Sequence, residues 1–333
     1  MSRIFVTGGA GYCGGVLIPK LLELGHEVSV YDTCYFGKDH LPKQIQKFAL
    51  IEGDIRDLSL LRKSIQGHDI VVHLACISND ASFELDEALS TSINLDAFEP
   101  LVVTAKACGV KRFIYASSSS VYGVSNAKDV TEDHPLMPLT LYNEYKGKCE
   151  PILSNHASEE FIVTTFRPAT VCGYSPRMRF DLSVNILVNH AITLGKITVF
   201  GGSQLRPNLH ILDYADVVLE LISAPKEKIQ KKIFNVGAEN LSILEIAKLV
   251  KNIVELEFKE RAPIEIAFQE SNDLRSYHIN SERILKDLNF APKRNVEFAI
   301  KELILAFQSG KFGDTMNDDT YHNVRTLKKL AIQ

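Results

Sequence analysis

A glycine-rich turn near the start of the chain, VTGGAGYCGG, constrains the fold more than any other segment. It joins the apolar run RIFVT to GGVLIPKLLELG, whose apolar residues have helical spacing. The glycines fit two patterns, Gly9-x-Gly11-x-x-Gly14 and the narrower Gly8-x-x-Gly11-x-x-Gly14. A tight turn between a strand and a helix lets the backbone approach a pyrophosphate, and the helix N-terminus faces that anion. Either pattern therefore predicts a dinucleotide site.

The first half of the chain alternates short apolar runs with longer amphipathic ones. Continuous apolar strands separated by helices are typical of a parallel sheet that is covered on both faces. We therefore predict a doubly wound, Rossmann-type α/β domain over residues 1–172, with its ligand at the carboxyl ends of the strands. We predict that residues 173–333 form a smaller α/β domain, some of whose strands join the sheet of the first domain. The predicted strands of the first half are RIFVTG, EVSVYD, FALIEGD, DIVVHLA, RFIYASSS and IVTTFRPATVCG, and NLDAFEPLVVTAKACG is predicted as one long helix.

Composition and charge exclude several classes of protein. A net charge of -4 gives no electrostatic reason to expect nucleic acid as a partner. No apolar run approaches the roughly 20 residues that span a bilayer. The first residues, MSRIFVTGG, predict a strand rather than a signal peptide, so we expect a cytoplasmic protein. The 6 cysteines form no C-x-x-C pair, which predicts buried, reduced thiols and no metal site.

Acidic residues at the ends of the second and third predicted strands bear on the nature of the dinucleotide. Asp32 ends EVSVYD, where a carboxylate can accept hydrogen bonds from both ribose hydroxyls and would repel a 2′-phosphate. This position favours NAD over NADP, although Asp32 could instead only open a turn. In GDIRD, Asp54 lies with Ile55 where the adenine is expected, and the alternative for Asp54 is a cap of the next helix.

Two further segments carry candidates for catalysis. ASSSSVYG ends the fifth predicted strand on the cofactor side of the sheet, and LYNEYKGKCE begins the next helical stretch. Tyr142 and Lys146 are at positions i and i+4 and share one helix face, whereas Tyr145 points about 100° away. A lysine cation beside a phenol lowers the pKa of the phenol, which makes Tyr142 a candidate general base or acid for a sugar hydroxyl.

These motifs together resemble the extended short-chain dehydrogenases/reductases of the nucleotide-sugar epimerase/dehydratase family. The resemblance extends to about Phe290 and rests on G-x-x-G-x-x-G, HLAC, SSSSVYG and Y-x-x-x-K, which occur in this order. It selects the Gly8 register of the glycine turn and leaves Gly9 as a turn residue. It also implies that relatives pair through two long helices, so we predict a homodimer or a larger homo-oligomer.

The resemblance implies roles for individual residues. Ser118 is the expected catalytic serine, Tyr142 the base, and Lys146 the ligand of the nicotinamide ribose. Tyr122, in SSSSVYG, is expected to be a packed aromatic beside the active strand. The predicted contacts of the NAD cofactor are Gly8, Gly11, Tyr12, Cys13, Gly14, Asp32, Asp54, Ile55, Leu74, Ala75, Asn94, Tyr142 and Lys146.

Two segments of the second half are also similar to motifs of this family. FGGSQLRPNLHILDYADV and NDLRSYHINSERILKDLNF imply that Arg206 and Arg275 bind the diphosphate of a nucleotide sugar, for which a guanidinium fork is suited. The alternative for each arginine is a solvent-exposed charge. Asp80 could contact the sugar or act as a further base, or it could cap a helix. The predicted substrate contacts are Ser78, Ser119, Thr170, Arg206 and Arg275, and Thr170 stands where many relatives have an asparagine.

The residues that follow Ser118 narrow the reaction. A 4,6-dehydratase of this family needs an Asp-Glu pair there, and this chain has Ser119 and Ser120. Epimerase/reductases of the GDP-fucose-synthase type place a cysteine at the position of Ser120, so they are disfavoured as well. We therefore predict oxidation at C4 of a nucleotide-diphosphate sugar, with 4-epimerisation first. The alternatives are a 4-dehydrogenase that releases the keto sugar and a non-catalytic NAD-binding regulator.

Overall fold

The computed structural model describes residues 1–43, 45–125, 127–270 and 276–330. The strands are β1 (Arg3–Thr7), β2 (Glu27–Asp32), β3 (Phe48–Glu52), β4 (Ile70–His73), β5 (Arg112–Ala116), β6 (Ile162–Pro168), β7 (Thr170–Cys172), β8 (Lys196–Phe200), β9 (Leu205–His210), β10 (Ile233–Val236), β11 (Glu239–Ser242) and β12 (Glu265–Gln269). The helices are α1 (Gly14–Glu23), α2 (Leu58–Ile65), α3 (Asp80–Phe83), α4 (Glu87–Thr91), α5 (Phe98–Ala107), α6 (Leu141–Asn155), α7 (Ser183–Leu194), α8 (Ile211–Ser223), α9 (Lys226–Ile229), α10 (Ile243–Glu257), α11 (Glu282–Leu288), α12 (Val296–Gln308) and α13 (Asn323–Leu330).

A parallel sheet forms the centre of the described chain, with the strand order β10-β6-β5-β4-β1-β2-β3. Its strands have apolar residues on both faces, as β1 shows: Ile4 and Val6 belong to one core cluster and Phe5 to the other. Helices α1 and α8 pack on one side of the sheet, and α2, α5 and α6 pack on the other. The doubly wound Rossmann-type fold predicted from the sequence is confirmed.

Two predicted elements of the first half differ in the structure. The sixth predicted strand is divided, because β6 ends at Pro168 and β7 belongs to a separate sheet with β9 and β11. Proline has no N–H with which to continue a ladder. The long helix predicted from NLDAFEPL begins as a π-helical turn, Ser92–Asp96, and becomes regular only at Phe98. Pro100 lacks the N–H that would bond to the carbonyl of Asp96 in an uninterrupted α-helix.

The second half of the chain is joined closely to the first. Strand β10, from the second half, pairs in parallel with β6 at the edge of the large sheet. A strand of the second half thus joins the sheet of the first, as the sequence predicts. On α8, Asp216 forms an ion pair with Lys20 of α1. Helices α7, α10 and α12 pack together beside the parallel pair β8 and β12. The division of the chain at residue 172 stays a prediction. None of the described helices is both long and apolar enough to cross a membrane.

Candidate active site

A cavity of about 770 Å³ lies at the carboxyl ends of the strands of the large sheet. Its wall combines the glycine turn after β1, the segments after β2, β4 and β5, helix α6, and loops of the second half. Sixteen of the predicted site residues line it: Gly8, Gly11, Tyr12, Cys13, Asp32, Asp54, Ile55, Leu74, Ala75, Ser78, Ser118, Ser119, Tyr142, Lys146, Thr170 and Arg206. The sequence therefore predicted residues that the fold brings to one place.

The glycine turn has the close approaches that the Gly8 register requires. Gly8 has φ +74°, and a Cβ there would lie 2.5 Å from the backbone nitrogen of Ala75. A Cβ on Gly14, the first residue of α1, would lie 2.1 Å from the carbonyl oxygen of Gly9. Gly9 itself packs against Val30 of β2, where a Cβ would lie 2.7 Å from a side-chain methyl. These glycine positions leave no room for a side chain. The backbone N–H groups of the turn can therefore lie close to a bound pyrophosphate.

The phenol of Tyr12 fixes the turn to the second half of the chain. Its hydroxyl donates to the carbonyl oxygen of Gly173 at 2.6 Å and accepts from the Asn185 amide at 3.1 Å. Ser175 donates in turn to the carbonyl oxygen of Tyr12 at 2.8 Å. The side chain of Tyr12 therefore connects the glycine turn to residues of the second half of the chain.

Asp32 is held rigidly at the end of β2. One carboxylate oxygen accepts from the Ala10 N–H at 2.9 Å and the other from the Cys34 N–H at 2.8 Å. Burial raises the pKa of Asp32, and these two N–H groups oppose that rise. Each carboxylate oxygen can accept a further hydrogen bond, which is what ribose hydroxyls would need.

Substitution of Asp32 with asparagine is expected to narrow the preference for NAD over NADP by about tenfold. The amide keeps the shape and one acceptor but removes the negative charge that repels a 2′-phosphate. Titration of the full-length protein with each dinucleotide measures the ratio of the two dissociation constants. Asp39→Asn, a nearby exposed carboxylate, is the control. An unchanged ratio in Asp32→Asn would contradict the assignment.

One predicted cofactor contact, Asn94, and two alternatives that the sequence left open differ in the structure. Asn94 does not line the cavity, because its side chain accepts from the N–H and donates to the carbonyl of Ile77, both at 2.9 Å, and so holds the loop after β4. Asp54 does not cap α2. It pairs with Arg56 at 2.7 Å while it lines the cavity, and the cap is Asp57.

The second of these alternatives concerns the start of α3. The cap is Asn79, whose side chain accepts from the Ser82 N–H at 2.8 Å, rather than Asp80. Asp80 lines the cavity and accepts a hydrogen bond from the hydroxyl of Thr140, the residue that caps α6. Asp80 therefore links α3 to the helix that carries Tyr142.

Ser118 caps the short 3-10 turn that follows β5. Its hydroxyl oxygen lies 2.8 Å from that of Ser120, which donates to the Asn143 side chain at 2.5 Å. Ser119 is buried, with its hydroxyl 3.4 Å from the Tyr277 hydroxyl. Tyr122 is fully buried and donates to the Asn235 side chain at 2.7 Å, which confirms its prediction as a packed aromatic. Serine hydroxyls from this turn thus border the cavity next to α6.

Lys146 and Tyr142 lie on one face of α6 and both line the cavity. The Lys146 ammonium donates to the carbonyl of Ala116, at the end of β5, at 2.8 Å. An ammonium has three donors, so further donors of Lys146 can bind ribose hydroxyls. The Lys146 nitrogen lies 6.0 Å from the centroid of the Tyr142 ring.

The electrostatics of Tyr142 differ from the sequence-based prediction. Burial raises the pKa of Tyr142 well above its ordinary value, and the nearby Cys76 and Asp80 add to the rise. The cation that opposes the rise is Arg179, from the loop after β7. The predicted lowering of the pKa by Lys146 is therefore wrong for the protein alone, because desolvation of a buried phenolate outweighs a cation at this distance.

The predicted substrate residues lie on the side of the cavity formed by the second half. Arg206, on β9, is buried, lines the cavity and donates to the carbonyl of Leu205 at 3.0 Å. Its burial excludes the alternative of a solvent-exposed charge. Thr170 lines the cavity from β7. Ser78 accepts from Arg179 at 3.0 Å. Arg275 lies outside the described residues.

The sequence analysis missed a polar group in the segment SPRMRFD and at the start of α13. Arg179 is buried and forms an ion pair with Asp181 at 2.8 Å. Arg177 is buried beside it and donates to the Asn323 side chain at 2.6 Å. All four line the cavity. The two arginines follow a core strand and could have been predicted as site residues from that position. Nothing in the sequence around Asn323 indicated that it would reach the cavity.

A sequence model of the NAD dependent epimerase/dehydratase family matches residues 4–237, which is more than half of the chain. The chain belongs to this family. It is therefore an enzyme, and NAD is its cofactor, as predicted from the sequence. The glycine cradle and the fixed Asp32 fit that cofactor: Gly8, Gly11, Asp32 and Lys146 would hold it.

Individual relatives agree with the family. The chain is 27% identical, over 92% of its length and 96% of the relative, to a UDP-glucose 4-epimerase of Corynebacterium glutamicum. It is 26% identical, over 92% of its length and 98% of the relative, to a UDP-N-acetyl-alpha-D-glucosaminuronate decarboxylase of Bacillus cytotoxicus. The fold is similar to that of a UDP-glucose 4-epimerase of Thermotoga maritima solved with UDP-glucose, with a TM-score of 0.82 and 24% identity over 92% of this chain and 99% of that one.

Proposed function

We propose that the protein is a 4-epimerase of a nucleotide-diphosphate sugar. The observation that carries the proposal is that Ser118, Tyr142 and Lys146 line the same cavity as the glycine turn and Asp32. The 4,6-dehydratases that the chain resembles need an Asp-Glu pair where Ser119 and Ser120 stand, so the site lacks the acid/base pair for dehydration. The similarity to UDP-glucose 4-epimerases over nearly the full length supports the same reaction.

The residues of the site divide the chemistry between them. Bound NAD would supply a hydride acceptor for C4 of the sugar and a positive charge. Because burial raises the pKa of Tyr142, the phenol needs such a charge to act as a base. Tyr142 takes the proton of the C4 hydroxyl as the C4–H bond is broken, and Ser118 donates a hydrogen bond to the same oxygen. Tyr142 returns the proton when the 4-keto sugar is reduced on its opposite face.

Arg206 is the proposed cationic partner of the substrate diphosphate. Arg206 lies in the cavity wall on β9, and its guanidinium suits a diphosphate. Thr170, on β7, and Ser78, in the loop after β4, line the same cavity, which supports their proposed contacts with the sugar. The homodimer, the cytoplasmic location and the role of Arg275 stay predictions.

Incubation of the purified protein with a panel of UDP-, GDP- and dTDP-linked hexoses tests the proposal. We expect at least one sugar to yield its 4-epimer, detected by NMR, without NADH accumulating in solution at 340 nm. The denatured protein is expected to release its dinucleotide, since the cofactor is recycled within the site. NADH that accumulates with a released keto sugar would instead show a 4-dehydrogenase. No turnover of any sugar by protein that binds NAD would contradict the proposal and favour a regulator.

A further inference from the structure

The last described segment of the chain, residues 314–330, forms part of the wall of the active-site cavity. It lies beyond the residues that match the family model and ends in helix α13. Asn323 and Leu327 of α13 line the cavity, and Asn323 is only 3% exposed. A segment remote in sequence from every catalytic motif therefore reaches the site.

Arg177 is a buried cation with an incomplete set of partners. It is 5% exposed and lines the cavity, and no ion pair within 4.0 Å is formed with any described carboxylate. Its Nη2 donates to the Asn323 side-chain oxygen at 2.6 Å, while its buried Nε has no hydrogen-bond partner among the described residues. Burial, together with the nearby Arg179, lowers the pKa of Arg177 to about 9. The carboxylates of Asp181 and Asp32 attract this charge without forming an ion pair with it. Because a buried charge is costly unless it is directly paired, an anionic ligand in the cavity would stabilise Arg177.

The surroundings of Arg177 point to the diphosphate of a dinucleotide as this anion. Its guanidinium lies 4.2 Å from the centroid of the Phe36 ring, in the loop that follows Asp32. A Cβ on Gly15, in the first turn of α1, would lie 3.6 Å from the backbone nitrogen of Arg177. Arg177 thus borders the α1 N-terminus and the end of β2, between which the diphosphate of a dinucleotide crosses. The function proposed above assigns the substrate diphosphate to a different cation, Arg206.

Asn323 forms three hydrogen bonds in the cavity wall, and one of them holds Arg177. Its side-chain oxygen accepts from Arg177, its side-chain nitrogen donates to Ser78 at 3.1 Å, and its backbone N–H donates to Asp181 at 3.2 Å. Ser78 and Asp181 line the cavity as well. The α13 N-terminus is therefore joined to the wall of the site at three points.

We propose that Asn323 is a positioning residue that holds Arg177 against the diphosphate of NAD, so that the C-terminal segment 314–330 governs how tightly the cofactor is retained. The proposal concerns cofactor binding and does not depend on which sugar is the substrate.

Equilibrium dialysis of the full-length protein against NAD, with UDP as a second ligand, tests this proposal. Asn323→Ala is expected to weaken NAD binding about tenfold, since a hydrogen bond to a charged group is lost, and to leave UDP binding unchanged. Arg177→Ala is expected to weaken NAD binding at least as much. Because Asn323 acts through Arg177, the double variant should bind NAD no more weakly than Arg177→Ala alone. Arg325→Ala, an exposed position on the same helix, is the control and should bind NAD normally.

Several outcomes would overturn the proposal. Unchanged NAD binding in Asn323→Ala would do so, as would an equal loss of NAD and UDP binding, which would indicate general damage to the cavity. Additive losses in the double variant would show that Asn323 does not act through Arg177. If Asn323→Ala fails to fold, Asn323→Ser, which stays polar but is too short to reach Arg177, provides the same measurement.

Discussion

Replacement of Tyr142 with phenylalanine is expected to lower kcat for sugar turnover by about 10²–10⁴-fold while the protein still binds NAD. The substitution removes only the phenolic oxygen, which is the group proposed to exchange the proton of the C4 hydroxyl. The ring, which is packed in the cavity wall on α6, is retained. Steady-state kinetics on the sugar found in the panel, together with the NAD content of the purified variant, measure the two effects separately.

Tyr145→Phe is the matched control for this experiment. Tyr145 is on the same helix but does not line the cavity, and its ring packs 5.6 Å from the centroid of the Phe83 ring. Its hydroxyl is 3.5 Å from that of Thr91, so its loss is expected to leave kcat within a few fold. Turnover by Tyr142→Phe at the rate of the unaltered protein would refute the assignment of Tyr142 as the acid/base.

Replacement of Glu150 with alanine is expected to lower the free energy of unfolding by about 3–5 kcal/mol. Glu150 and Arg167 form an ion pair in which both side chains are 3% exposed, with N–O distances of 2.9 and 2.6 Å. Ser117 donates a further hydrogen bond to Glu150 at 2.6 Å. The alanine would leave the Arg167 guanidinium charged in the core without its carboxylate.

Urea denaturation of Glu150→Ala and of the control Glu144→Ala measures this difference. Glu144 is on the same helix and pairs with Lys148 at 2.5 Å, but both of these side chains are solvent-accessible. We expect its loss to cost at most about 1 kcal/mol, because exposed ion pairs contribute little. Similar losses in the two variants would contradict the structural role of the buried pair.

The parts of the site that the sequence predicted well are those carried by short segments. The strand, turn and helix around Gly8 follow from local chain geometry, and Tyr142 and Lys146 share a helix face because they are four residues apart. The structure differs where a side chain had a choice of partners. Asn94 bonds the backbone of Ile77 instead of facing the cavity, and Asn79 caps α3 in place of Asp80, for which the sequence left a capping role open.

The sequence by itself predicted the alternation of strands and helices in the first half, the glycine cradle and the shared helix face of Tyr142 and Lys146, because each depends on neighbours within a few positions. The role of Ser118 was implied only by the resemblance to a family. The tertiary structure alone decided the electrostatics of Tyr142, since burial cannot be derived from local spacing. It also decided the contact between Arg177 and Asn323, which are 146 residues apart. Such a contact is set by the packing of a distant helix on the cavity wall, and no periodicity in the chain encodes it.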